Sequence, residues 1–252
     1  MDGHCIGIVG GLGPYAGLDL VKKLFDSTRA IHDQDHVRVM LHSFPGDIPV
    51  RPEFLLGLTN ANPGHAIGDI MVGLARAGAD IIAMPCNTAH SPRILNVALK
   101  KLYAEFPHIT YVHIITSALA EISRRARPGA RVGLMGTVAT LRTRLYQDAL
   151  EALGFTPVLL NDEGCQKVQE AISNDQFGIK AASNPVTPKA REILLHAAQA
   201  LADQGIDILL LGCTEIPLAL NERLYFGIPT VDAASALAKE LIRAYDPARC
   251  KE

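Results

Sequence analysis

Two stretches of the chain are versions of one another, and that repetition limits the possible folds more than any other feature. AGADIIAMPCNTAH, starting at Ala77, aligns with QGIDILLLGCTEIP, starting at Gln204. Glycine, aspartate and cysteine keep one spacing in both: Gly78, Asp80 and Cys86 against Gly205, Asp207 and Cys213. IGIVGG at Ile6 aligns with VGLMGT at Val132, at nearly the same separation. SALA recurs at Ser117 and Ser235, after a shorter connection in the second half. Chance explains one such match; three in the same order indicate duplication.

Short β-branched runs alternate with longer amphipathic ones. Strands are expected over residues 5–9, 37–42, 81–84, 111–114, 131–135, 156–160, 208–211 and 230–231. Helices are expected over 17–30, 62–77, 91–104, 117–126, 140–153, 188–204 and 233–244. This alternation implies parallel sheets flanked by helices. The expected class is α/β: two similar α/β/α domains with parallel-rich sheets, related by pseudo-twofold symmetry. They divide the chain at 1–115 and 116–231, leaving a C-terminal helix over 232–252.

Hydrophobic residues make up 48% of the chain and charged ones 20%, enough for a full core in a soluble protein. The formal net charge is -2, and the densest basic run, Arg124–Arg127, reads as a helix C-terminus. Nucleic-acid and membrane-surface binding therefore lack electrostatic support. No apolar run reaches the ~18 residues of a membrane span, and the N-terminus lacks the basic region of a signal peptide. Five cysteines without a CxxC pair argue against a disulfide framework and for a cytoplasmic location.

In an open parallel sheet, ligands bind outside the carboxyl ends of the strands. Cys86 and Cys213 fall at such ends, each followed by small polar residues. An isolated cysteine is most often a buried small hydrophobe, but the matched pair weakens that reading. If the halves face each other, the thiols approach a shared cleft from opposite sides. One thiolate then removes a proton from carbon and the other thiol returns one, inverting a stereocentre without a cofactor. Backbone N–H groups at Asn87, Thr88, Thr214 and Glu215 are placed to stabilise thiolate and substrate carboxylate. The site must also hold the negative charge that develops as the proton leaves.

The loop GGLGPYAG, from Gly10 to Gly17, is a loose dinucleotide fingerprint. The second strand ends in His42-Ser43-Phe44, without the acidic residue that holds a ribose, so NAD is not expected. The loop reads instead as a tight turn whose amides, near Gly13, face the cleft; Pro14 disfavours the α region at Gly13. Cys86 and His90 stand four apart, but no second pair has metal-ligand spacing. A cysteine–histidine hydrolase remains compatible with nine histidines, yet leaves the second cysteine unexplained. Pyridoxal phosphate lacks a convincing lysine and phosphate cradle. Arg51, in the proline-rich segment 43–55, can grip a carboxylate in bidentate fashion, although its local sequence favours a solvated arginine. Lys180 carries the same ambiguity.

MPCNTAH and LGCTEIPL together resemble the paired cysteine signatures of the cofactor-independent aspartate/glutamate racemases, in the aspartate racemase branch. The likeness extends to GIVGGLGP, IPVR, GTVATLRTRLY and GIKA, and so covers nearly the whole chain. It implies two α/β domains with the active site between them, a homodimer, no cofactor, and a last helix that packs back on the first domain. Cys86 and Cys213 would be the acid/base pair. Arg51 and Lys180 would bind substrate carboxylates, and Asn87, Thr88, Thr137 and Thr214 would donate to the α-carboxylate. The chain departs from the family pattern at Leu12, Val50, Pro52 and Ala182.

The expected activity is interconversion of the L and D forms of aspartate, with glutamate or a broader range of amino acids as alternatives. A diacid decarboxylase or isomerase is disfavoured because such enzymes often use one thiol. A two-lobed small-ligand binding protein gains no benefit from two.

Overall fold

The computed structural model describes residues 4–251. Within them the chain forms two compact units: one runs to Ser117 and resumes at Ala234, and the other comprises Ala118–Ala233. The divisions fall in the helix Ile114–Arg125 and at the start of the helix Ala233–Tyr245.

The first unit contains β1 (Ile6–Gly10), β2 (Val39–Ser43), β3 (Ile81–Ala83) and β4 (Thr110–Val112), in the order β2-β1-β3-β4 with every pair parallel. The helices Pro14–Ser27, Gly64–Arg76 and Pro92–Glu105 connect them. The second unit contains β5 (Arg131–Met135), β6 (Thr156–Val158), β7 (Ile208–Leu211), β8 (Leu224–Tyr225) and β9 (Ile228–Asp232). Its order is β6-β5-β7-β9-β8, parallel except for the terminal β8–β9 pair. Apart from that added edge strand, the two sheets share one topology, as duplication requires. β1 and β7 are buried along their whole length, which is why they read as unbroken apolar runs rather than alternating ones.

The repeated glycine and aspartate have architectural tasks. Gly78 (φ 103°) and Gly205 (φ 72°) take the left-handed conformation that turns the chain from a helix into a strand. Two residues later, Asp80 accepts a hydrogen bond from the backbone N–H of Cys5 at 2.7 Å, and Asp207 accepts one from Arg131 at 2.7 Å. Each carboxylate thereby ties the entry of the third strand of its unit to that of the first. The matched glycines Gly7 and Gly133 make room beside this tie: a Cβ there would lie 2.8 Å from Ala79 Cβ or 2.5 Å from Ile206 Cδ1.

The expected elements are present with shifted ends and some added short helices, and three differences change the architecture. The helix expected over 140–153 is two pieces, Val138–Arg142 and Gln147–Ala152, interrupted at Arg144, whose φ is 52°. Arg144 pairs with Asp148 and Glu151 from that position. A helix not anticipated from the sequence, Asp162–Ser173, follows β6; its buried residues are Val168, Ala171 and Ile172. Its start was nonetheless legible, since Asn161 caps it by accepting from Gly164 N–H at 2.9 Å, with Asp162 and Glu163 in the first turn. The third difference is the β8–β9 hairpin, closed by Phe226 (φ 54°) and Gly227 (φ 78°), the backbone signs of a type I′ turn.

In the first unit the C-terminal segment is tied to the end of the first helix and the turn that follows it. Lys251 N–H donates to Ser27 at 2.8 Å, Arg29 N–H donates to Arg249 at 2.7 Å, and Arg249 donates to the Asp35 carbonyl at 2.6 Å.

Gly7→Ala is expected to lower stability by ~1–3 kcal/mol, because Ala79 Cβ and Leu74 Cβ (3.2 Å) leave no space and are not flexible side-chain ends. Gly46→Ala, where nothing lies within 4 Å, serves as the control. Urea titrations giving equal midpoints for the two variants would remove close packing as the reason for Gly7.

Candidate functional site

At the carboxyl edge of the first sheet, β1 leads into the glycine loop and β3 into Cys86. Gly11 is the residue that needs to be glycine: its φ is 84°, and a Cβ would lie 2.9 Å from the backbone nitrogens of Phe44 and Pro45. Gly13 is extended at φ −177°, a conformation open to any residue, and Pro14 opens the helix directly rather than delaying it to Gly17.

Arg51 differs from the solvated arginine that its local sequence suggests. It begins a short helix, Arg51–Leu55, and only 8% of it is exposed. Its guanidinium donates to the Leu12 carbonyl of the glycine loop, with a longer contact to Pro49 O at 3.5 Å. Its Nε is buried without a hydrogen-bond partner among the described residues. The fork is thus held against the loop with its buried Nε–H unused.

Cys86 lies just past β3 in a turn closed by its own N–H on Met84 O at 2.9 Å. Cys86, Asn87, Thr88 and His90 are all buried. His90 is a tether for this turn. Its Nδ1 lies 2.8 Å from the Cys86 carbonyl, which can only accept, so Nδ1 carries the hydrogen. Nε2 then accepts, from Tyr111 O–H at 2.8 Å and from Ile114 N–H at 3.5 Å. Burial is the main reason that the imidazole stays neutral: it drops from the ordinary 6.5 to about 3, with the neighbouring His113 pushing the same way and the Cys86 carbonyl opposing. Burial also takes His113 down to about 4.

At the carboxyl edge of the second sheet, β5 leads to Thr137 and β7 to Cys213. Gly212 N–H donates to Met135 O at 2.7 Å, and a Cβ on Gly212 would lie 3.2 Å from the ring of the fully buried Tyr146. Thr137 caps the helix Val138–Arg142, accepting from Thr140 N–H at 3.2 Å. Cys213, Thr214 and Glu215 are buried, and Cys213 belongs to the same apolar core as Leu211, Ile216 and Leu220. The Cys213 thiol donates to Glu215 Oε2 at 3.0 Å. Burial first, then the Glu215 charge and hydrogen bond, push this thiol well above its ordinary value, against a smaller pull from the Lys180 charge. Lys180 itself is exposed, in a segment anchored by its N–H on Ile172 O at 3.0 Å. Gly178 before it has no room for a side chain, since a Cβ would lie 2.4 Å from Asn174 N.

The first unit therefore gathers Arg51 with the glycine loop, and Cys86 with Asn87 and Thr88. The second gathers Cys213 and Thr214, with the charge of Lys180 reaching the thiol. Sequence reasoning missed the Glu215 side chain, the His90–Tyr111 tether and the packing of Tyr146 on Gly212. Only the spacing of Glu215, two residues after a matched cysteine, was visible beforehand. Among the described residues no group of three or more His, Cys, Asp or Glu is arranged to hold a metal, and no helix is long and apolar enough to cross a membrane.

The chain is thus a duplicated parallel α/β protein of two units, with a buried thiol past the third strand of each half. Residues 9–241 match the Asp/Glu/Hydantoin racemase family, and the chain belongs to it. The broad specificity amino-acid racemase RacX of Bacillus subtilis (strain 168) is 26% identical over 248 residues, covering 95% of this chain and 97% of that protein. The glutamate racemase of Desulforudis audaxviator is 31% identical over 169 residues, which is 66% of this chain but only 56% of that enzyme. Among solved structures, Picrophilus torridus aspartate racemase superposes with a TM-score of 0.82 at 29% identity, covering 99% of this chain and 96% of that one.

The His90 tether predicts acid sensitivity. A histidine held below its ordinary value contributes stability that is complete above about pH 6.5 and is lost as the pH falls toward 3, because the unfolded chain takes the proton first. His90→Ala is expected to cost ~1–3 kcal/mol at neutral pH through the unpaired Cys86 carbonyl and Tyr111 hydroxyl. The variant should also lose less stability than the wild type between pH 7 and pH 5. Parallel urea titrations at the two pH values check this, and equal losses would exclude a buried neutral His90.

Proposed function

We propose that this racemase acts on acidic amino acids, aspartate first and glutamate second, by cofactor-independent proton transfer between Cα and two thiols. The observation that carries the reading is the matched pair, Cys86 and Cys213, each placed past the third strand of its own sheet. In one direction the Cys86 thiolate takes the Cα proton, forming S–H, and the Cys213 thiol gives its proton to the opposite face of the carbanion. The other enantiomer reverses the roles, and atoms and charge balance in both directions. Asn87, Thr88, Thr137 and Thr214, with the loop amides near Gly13, would hold the α-carboxylate as negative charge builds on it. Arg51 and Lys180 would take the side-chain carboxylate.

The likeness to an aspartate racemase supports aspartate as the substrate. A second reading, broad specificity, is favoured by the full-length likeness to RacX and by Val50, which is 48% exposed beside Arg51 and offers no charge.

In D2O the enzyme should place deuterium at Cα during inversion of either enantiomer; inversion without solvent label would exclude the two-thiol route. Cys86→Ser and Cys213→Ser should each lower kcat by about 10³-fold or more, given the weaker acidity of a hydroxyl. A variant that kept full activity would take its cysteine out of the mechanism. Arg51→Lys keeps the charge but loses the planar fork. The expected result is a rise of about tenfold in KM for aspartate, with little change for alanine in a chiral substrate panel. Equal changes for both substrates would remove Arg51 from side-chain recognition.

A further inference from the structure

The two thiol turns hold the carbonyl of their cysteine in different ways. In the second unit the Cys213 carbonyl accepts from the backbone N–H of Ile216 at 3.1 Å. The matched position in the first unit is Ala89, and among the described residues no backbone N–H reaches the Cys86 carbonyl. A side chain takes its place: His90 Nδ1–H donates to that carbonyl at 2.8 Å. The residue matched to His90 is Pro217, which has no side-chain donor. The second half neither needs this bond nor can make it.

The consequence for the sulfur follows from backbone geometry. The peptide joining Cys86 to Asn87 is planar, so fixing its carbonyl fixes ψ of Cys86 and the direction of the Asn87 N–H together. On the other side of the same Cα, the Cys86 N–H is held on Met84 O at 2.9 Å. With both flanking peptides held, χ1 is the torsion left to place Sγ. The imidazole can donate to the carbonyl from Nδ1 only while Nε2 accepts, and two donors meet Nε2. Ile114 N–H, at the start of the helix Ile114–Arg125, approaches it at 3.5 Å. Tyr111 O–H, on β4, donates at 2.8 Å. Burial, with the Cys86 and Tyr103 charges adding to it, pushes that hydroxyl well above its ordinary value, so it keeps the proton it donates. His113 lies edge-on to His90 with ring centroids 4.4 Å apart, and its Nδ1 accepts from Ile115 N–H at 3.2 Å. Two imidazoles thus meet consecutive N–H groups at the start of one helix, whose positive end disfavours a proton on either ring.

We propose that His90 is the positioning residue of Cys86, and that Tyr111 acts through it by fixing its tautomer. The inference rests on the racemase reading and deepens it. A proton passes between Cα and sulfur only from a near-attack geometry, and a misplacement of ~1 Å costs up to about a hundredfold. The imidazole holds the carbonyl, the carbonyl sets the backbone at Cys86, and the backbone sets where Sγ sits. His90 touches neither the substrate nor the sulfur in this scheme and exchanges no proton.

Three substitutions test the chain of contacts. His90→Phe keeps a ring but no hydrogen bond, His90→Gln can donate and accept as the imidazole does, and Tyr111→Phe removes only the hydroxyl. His90→Phe should lower kcat about tenfold in both directions, since Cys86 takes part in each, and His90→Gln should return to within about threefold of wild type. Tyr111→Phe should lower kcat about threefold, and adding it to His90→Phe should cost nothing further, because Tyr111 acts through the imidazole. The second readout needs no substrate: the folded enzymes are alkylated with iodoacetamide, and both thiols are followed by peptide mass mapping. Cys86 should react about fivefold faster in His90→Phe and about twofold faster in Tyr111→Phe, with Cys213 unchanged. Tyr111→Phe carries the test by itself if His90→Phe does not fold. An unchanged kcat, equal acceleration at both cysteines, additive losses in the double variant, or His90→Gln as slow as His90→Phe overturns the proposal. Absence of Cα deuterium exchange in the wild type overturns the racemase reading instead and leaves the alkylation result standing.

Discussion

The pairing of the first and third strands of each unit is the constraint on which the rest depends. It is secured at the entry of the sheet by the same device twice, an aspartate carboxylate on the first strand's leading N–H, at Asp80–Cys5 and Asp207–Arg131. With the entry registered in parallel, the exits are registered too: Ile8 lies opposite Ala83, and Met135 opposite Leu211. The glycine loop and Cys86 therefore leave one sheet side by side, as do Thr137 and Cys213 the other. The candidate site residues lie at the carboxyl edge of each sheet, and the architectural residues act at the amino edge.

The same backbone plan supports different electrostatics in the two halves. In the first, a buried histidine is kept neutral and spends both ring nitrogens on holding the turn that bears Cys86. In the second, a buried carboxylate lies directly on the sulfur. Duplication preserved the glycine, the aspartate and the cysteine, which share a backbone task or a place on the sheet. Positions 88 and 215 diverged, and at 215 the side chain is a carboxylate that accepts the Cys213 thiol.

Much of the fold was legible because it is carried by periodicity and by repetition. The buried strands announce themselves as unbroken apolar runs, and the spacing of Gly78, Asp80 and Cys86 against Gly205, Asp207 and Cys213 reveals two halves before any coordinate is known. The elements that sequence reasoning missed are those with weak apolar signals: the polar helix Asp162–Ser173, visible only through its Asn161 cap, and the short β8–β9 hairpin. Arg144 defeated a helix that its flanking residues favour, since one left-handed residue ends the run whatever its neighbours prefer.

By itself the sequence determined the α/β class, the duplication and the two cysteines, because apolar period and motif spacing are local properties of a chain. Tertiary structure decided the environments of the side chains. It buried Arg51 against the Leu12 carbonyl although its neighbours look solvated, and made His90 a tether although its spacing from Cys86 suggests a metal pair. It also set the Glu215 carboxylate on the Cys213 thiol. Burial and hydrogen-bond partners depend on segments far apart in the chain, and those terms set the charge state that each side chain favours.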